Sequence, residues 1–214
     1  MVTTLARSER SALADLFLEL GPDAPTLCGD WTTRDLAAHL ALRERRPDAA
    51  VGIVLGAAAG RTASVQAGYA ARPYADLVGL VRSGPGWLSP FALPGIDTLL
   101  NTTEYVVHHE DVRRATPGWS PRLLPAGAQD NLWKVVSTRA RMSFRGLDCG
   151  VRLWRSDRPA ATPVAIGPDS PTANLTGEPL ELLLYCFGRG EHALVEVTGD
   201  PAAIEVLQVH PLAV

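Results

Sequence analysis

Glu104 and His108 stand four residues apart in the run NTTEYVVHHEDVRRA. On a helix that spacing stacks a carboxylate and an imidazole one turn apart on one face, with Cβ atoms roughly 5–6 Å apart. Such a pair can chelate a metal. His39, in WTTRDLAAHL on an earlier helix, offers a third ligand. Two nitrogens and one oxygen leave a coordination position open, as catalytic zinc sites do. The imidazoles favour zinc as the divalent metal, and nickel, iron or cobalt would accept the same donors.

Each residue also has a plainer reading. His39 sits among Leu36 and Leu40, and Glu104 shares a stripe with Leu100, Val107, His108 and Asp111. Unpaired polar groups on core-facing stripes are costly, so they must be hydrogen-bonded or coordinated. A Glu104–His39 hydrogen bond without metal would satisfy the same demand. Adjacent His108 and His109 point about 100° apart on a helix, so only one can face a given site. The spacing from Glu104 favours His108, which leaves His109 an outer position or solvent and turns Glu110 away.

Asp111, three residues after His108, can accept the free ring N–H of a ligating histidine and so fix its tautomer. It could also pair with Arg114 or Arg43, or act as general base if a metal-bound water were the nucleophile. The HHED string lacks the spacing of the zinc protease motif HExxH. Arg189, between two glycines in FGRG, can reach into a cleft and clamp a carboxylate, or complement the charge at a helix C-terminus. Cys28 precedes Trp31 in a loop, and no spacing ties a histidine to it, so it reads as a plain thiol.

The elements that must carry these residues are mostly helical in the first two-thirds. Leu5, Leu13, Leu16, Phe17 and Leu20 recur at helical spacing, and Gly21-Pro22 ends that run. Thr32 is an N-cap candidate with Asp35 three residues on, a short capping box that starts the His39 helix. Pro47 ends or kinks it. Alanine-rich 49–60 and the segment 73–82 suggest a third helix of uncertain start, and 83–95 is a loop by its Gly and Pro content. Helices follow over about 97–114 and 125–144.

After Gly146 the texture changes. VRLWRSD, TPVAIGPD and LVEVTGD read as short strands, GEPLELLLYCFGRG and PAAIEVLQV as helices. The expected architecture is α+β: a four-helix bundle over 1–146, then a small α/β domain over 147–214.

Composition narrows the function. A net charge of −3 with no Lys/Arg block argues against nucleic acid, which needs clustered positive charge. Three cysteines without CxxC spacing fit a reducing cytosol better than a disulfide scaffold. No apolar run reaches the roughly 18–20 residues of a membrane helix, so no membrane role and a cytoplasmic location are expected.

Trp31, the helix start T-x-x-D-L-x-x-H-L at Thr32–Leu40, E-x-x-x-H-x-x-D at Glu104–Asp111 and the late EPLELLLYCFGR together resemble the mycothiol-dependent maleylpyruvate isomerase family. That family belongs to the DinB-like superfamily of metal-binding four-helix bundles. The resemblance implies a divalent metal, usually zinc, on His39, Glu104 and His108. It also implies a C-terminal domain resembling sterol carrier proteins, whose arginine, here Arg189, reaches the active cleft. The co-substrate would be mycothiol, the low-molecular-weight thiol of actinobacteria, and the partner a small electrophile. The expected enzyme, a monomer or homodimer, would be a thiol transferase or a cis–trans isomerase. A non-catalytic metal- or ligand-binding protein is the second reading and a metal-assisted hydrolase the third.

Overall fold

In a computed structural model of the chain, residues 4–54, 58–86 and 101–212 are described, the side chains of 51–54 excepted. Contacts divide the chain into two compact units, Met1–Pro121 and Arg122–Val214.

The first unit is helical. Helix α1, Leu5–Leu20, starts where the Thr4 side chain accepts the Arg7 N–H and stops at Gly21, whose φ of 81° suits a residue without Cβ. Helix α2, Thr33–Arg45, opens on a complete capping box between Thr32 and Asp35. Pro47 begins a new helix, α3, Pro47–Val54. Where the sequence suggests a single third helix over 49–82, the chain instead forms α3, α4 (Ala59–Ala70) and α5 (Tyr74–Ser83). Pro73 separates the last two because it disfavours helical geometry in the residue before it. The expected loop over 83–95 and the start of the helix expected from 97 fall largely outside the described residues. That helix is described as α6, Thr102–Arg113.

Helix α1 packs on α5 and α6, and α2 packs on α3, α4 and α5. Leu13, Phe17, Leu36, Leu40, Leu77, Val81, Tyr105 and Val112 are buried in one cluster between them. Charge is buried here too. Arg10 Nη2 donates to Glu44 Oε1 at 2.6 Å, and its guanidinium carbon lies 4.6 Å from the centre of the Tyr105 ring. His109 is not at the surface: it is buried, with Nδ1 2.8 Å from Glu9 Oε2 on α1. Glu110 is likewise fully buried, accepting from Arg113 and Arg114. An α6 packed on α1 buries the flank that the sequence assigned to outer positions.

The second unit holds α7 (Ala126–Ser143), β1 (Gly150–Arg155), β2 (Val164–Ile166), β3 (Thr172–Gly177), α8 (Pro179–Cys186), β4 (Glu196–Gly199) and α9 (Pro201–Val209). The sheet order is β2-β1-β3-β4, with β1 and β3 parallel at the centre and antiparallel edges. Register places Val151 opposite Ala173 and Leu153 opposite Leu175, all four buried. Helices α8 and α9 pack on β3, and α7 packs on α8. The sequence reading divides the chain at 146/147, whereas contacts divide it at 121/122, because α7 belongs with α8. The mixed α+β class stands, and β3 lies where the sequence pattern predicts no strand. Among the described residues no helix is long and apolar enough to cross a membrane.

Candidate metal centre

Two helices and one loop of the first unit build the site. The capping box fixes the start of α2: Thr32 N–H and Oγ1 both donate to Asp35 Oδ2, at 3.0 and 2.7 Å. Two turns on, His39 and then Arg43 lie on the side facing α6. The loop before α2 folds on itself, with Thr26 Oγ1 donating to the Trp31 carbonyl at 2.8 Å and accepting from Cys28 N–H at 3.1 Å. It is tied to α6 by Leu27 N–H, which donates to the Asp111 carbonyl at 3.0 Å.

Glu104 Oε1 lies 3.3 Å from His39 Nε2 and 3.3 Å from His108 Nε2. The three donor atoms are mutually within 4.8 Å. Those two separations suit coordination better than a tight ion pair. A charge-assisted N–H···O bond is about 2.7–2.9 Å, so 3.3 Å is long for a buried ion pair. A tetrahedral ion with bonds of about 2.0–2.1 Å holds its N and O ligands roughly 3.3–3.4 Å apart. Two of the three donor edges therefore stand at coordination spacing and the third lies within 4.8 Å, a set that can hold a divalent metal. Access remains: the Glu104 side chain is 22 % exposed, His39 11 % and His108 14 %.

Further groups orient these three. Arg43 Nε lies 3.4 Å from Glu104 Oε2, and its Nη1 donates to Asn101 Oδ1 at 2.6 Å. The second carboxylate oxygen is thereby held and Oε1 is left facing both imidazoles. Asp111 Oδ2 lies 2.9 Å from His108 Nδ1 and accepts the Cys28 S–H at 3.1 Å. Cys28 Sγ is 3.6 Å from His108 Nδ1. The indole of Trp31 lies against His39, with ring centres 5.1 Å apart. A cavity of about 400 Å³ opens beside Trp31, lined also by Asp35, Thr62, Ala63, Gln66 and Ala67.

The site's electrostatics follow. Burial opposes the Glu104 charge, but hydrogen bonds from His108 and His39 and the nearby His108 and Arg43 charges hold its carboxyl well below the usual range. Burial likewise opposes a charged His108, and hydrogen bonding to Asp111, Cys28 and Glu104 overrides it, raising His108 well above the usual imidazole value. The metal-free site thus favours an ionised carboxylate beside a protonated imidazole.

Of the residues singled out in the sequence, His39, Glu104, His108 and Asp111 come together here. Cys28 joins them, although no spacing linked it to a histidine; the Leu27–Asp111 backbone bond helps bring its loop to α6. Asp111 is fully buried on the Nδ1 side of His108, opposite the metal donors. That placement suits orientation of the imidazole rather than the work of a general base.

Arg189 belongs to the second unit. It is buried just after α8, and its Nη1 donates to the Phe187 carbonyl at 2.5 Å. Arg139 Nε donates to the neighbouring Cys186 carbonyl at 3.4 Å, and its guanidinium covers the Phe187 ring. Burial lowers the Arg139 pKa, and the positive charge of Arg189 adds to that, so two cations converge on the end of α8.

No curated protein and no solved structure matches the chain significantly. A family model does match, over residues 5–85: that of the mycothiol maleylpyruvate isomerase N-terminal domain. The matched stretch includes Cys28, Trp31, the capping box and His39, and ends before α6. Residues 5–85 of this chain therefore belong to the mycothiol maleylpyruvate isomerase N-terminal domain family.

Proposed function

We propose that the chain is a divalent-metal-dependent enzyme with mycothiol as co-substrate, adding or transferring the thiol to a small electrophile or isomerising a cis double bond. One observation carries the metal part: the 3.3 Å separations that set His39 and His108 at coordination distance around one oxygen of Glu104. Zinc suits two imidazoles and a carboxylate, and nickel, iron or cobalt fit the same donors. A metal held there would lower the pKa of a coordinated thiol and so make thiolate available near neutral pH.

The chain's own residues divide the remaining work. Asp111 holds the His108 tautomer that presents Nε2, Arg43 aims Glu104, and the Trp31 indole packs against His39. Arg189, with Arg139 beside it, is the anchor proposed for an anionic group of thiol or substrate. The second unit is proposed to resemble sterol carrier proteins.

Three protein donors, rather than a closed set of four, support catalysis over a structural or storage role among the described residues. The hydrolytic reading is weaker, since Asp111 is occupied by His108 and Cys28. The test is elemental analysis of wild type, His39→Ala and Glu104→Ala, followed by assays with mycothiol and cis-configured electrophiles such as maleylpyruvate. One equivalent of metal in the wild type, largely lost in both variants, and turnover that requires the thiol are the expected results. A folded wild type that takes up no metal would reduce the three residues to a buried polar network and end the proposal.

A further inference from the structure

The imidazole of His108 has donors on both sides. Nε2 faces Glu104 and His39, while Nδ1 faces Asp111 Oδ2 at 2.9 Å and Cys28 Sγ at 3.6 Å, with Sγ and Oδ2 3.1 Å apart. Cys28, His108 and Asp111 form a second group whose ligand atoms all lie within 4.8 Å. Tetrahedral coordination with a metal–sulfur bond of about 2.3 Å sets S···N and S···O edges near 3.5 Å and N···O near 3.3 Å. The S···N edge is already there, and Asp111 need only draw back by about half an ångström. Cys28 is half-buried and bound in no disulfide, so an ion can reach it.

The two sides differ in softness. Two imidazoles and a carboxylate make a borderline-to-hard set, whereas a thiolate draws thiophilic ions. We propose that Cys28, His108 and Asp111 form a second, thiophilic metal position, sharing His108 with the first and occupied in alternation with it. The alternation rests on the reading of His39, Glu104 and His108 as a metal site; the second position itself does not.

The reason for alternation is valence. A neutral imidazole carries one lone pair and one N–H. With a metal on Nε2, Nδ1–H donates to Asp111. With a soft ion on Nδ1, the ring proton sits on Nε2 and donates to Glu104, whose Oε1 is 3.3 Å away. Moving from the first state to the second releases the first ion and the Cys28 thiol proton, takes up the soft ion, and leaves the ring with one proton throughout. A thiophilic metal would thus switch off the first site without binding in it.

The test is a cadmium titration of the full chain, prepared metal-free, followed by the ultraviolet thiolate-to-cadmium charge-transfer band. The first position contains no sulfur and gives no such band. Wild type should develop it to one equivalent, His39→Ala should keep it, and Cys28→Ser should lose it while its near-ultraviolet circular dichroism stays native. No band in folded wild type, or one that survives in Cys28→Ser and so belongs to Cys149 or Cys186, overturns the second position. In zinc-loaded wild type the band should grow in step with zinc release, and Cys28→Ser should retain most of its zinc at the same cadmium addition. A band that grows while zinc stays bound overturns the alternation. Failure of wild type to bind zinc at all, with the band intact, would fall on the first site and leave the second standing.

Discussion

Asp111 grips His108 by the nitrogen that faces away from Glu104: its Oδ2 lies 2.9 Å from Nδ1, a full hydrogen bond beside the looser 3.3 Å separations on the other side of the ring. In the metal-free protein Asp111 holds the imidazole more closely than Glu104 does.

Asp111→Asn should therefore fold and still bind metal, but about 10–100-fold more weakly, the usual cost of losing the partner that orients a ligating histidine. Competition against a calibrated chelator measures it. Unchanged affinity would mean that packing alone holds His108 in place.

Metal affinity should rise with pH. His108 is held protonated well above 6.5, so binding must expel a proton, and affinity should climb roughly tenfold per pH unit until the raised value is passed. The metal-free fold follows the opposite course. Its support from His108 is complete below about 6.5 and is lost as pH rises through the folded value. Support from Glu104 is present above about 4.5 and lost as pH falls through its own lowered value. The gap in Tm between loaded and metal-free protein should thus widen between pH 6 and pH 8, as scanning calorimetry can check. A constant gap would place no proton on His108 in the metal-free state.

Glu44→Ala should destabilise the chain by about 3–5 kcal/mol, because it removes the buried carboxylate that Arg10 donates to at 2.6 Å, in a site where Glu44 is 1 % exposed. Urea unfolding with an unchanged m-value reads this directly. A loss under about 1 kcal/mol would mean that the contacts Arg10 keeps, the Tyr105 ring face among them, suffice for it.

Gly150→Ala should damage the second unit alone. A Cβ there would come 2.1 Å from the Pro168 carbonyl oxygen, too close for a backbone atom to tolerate without displacement. A cost of about 1–3 kcal/mol is expected from such overpacking. Metal stoichiometry at the proposed site of the first unit should be unaffected; its loss would show that the units do not fold independently.

Much of this was legible in the sequence where the physics is local. Gly21 ends α1, the Thr32–Asp35 box starts α2, and the fourfold spacing of Glu104 and His108 sets them on one face. What escaped depended on tertiary contacts. Strand β3, TANLTG, has few β-branched or aromatic residues, and pairing on both sides makes it a strand. Helix α7 reads like a bundle member, yet α8 is its partner. Glu9 settles His109 from 100 residues away, and Cys28 reaches His108 across 80.

The capping box also acts as a ruler. Thr32 and His39 are seven residues apart, about 20° short of two full turns and about 10.5 Å along the axis. Because the box sets where α2 begins, it sets the angle at which the imidazole leaves the helix. One residue inserted or deleted between them would swing His39 by about 100°, away from α6, with the helix itself intact. The interval from Thr32 to His39 therefore tolerates changes of letter more readily than changes of length, and anyone transplanting this site would have to carry that count across unaltered.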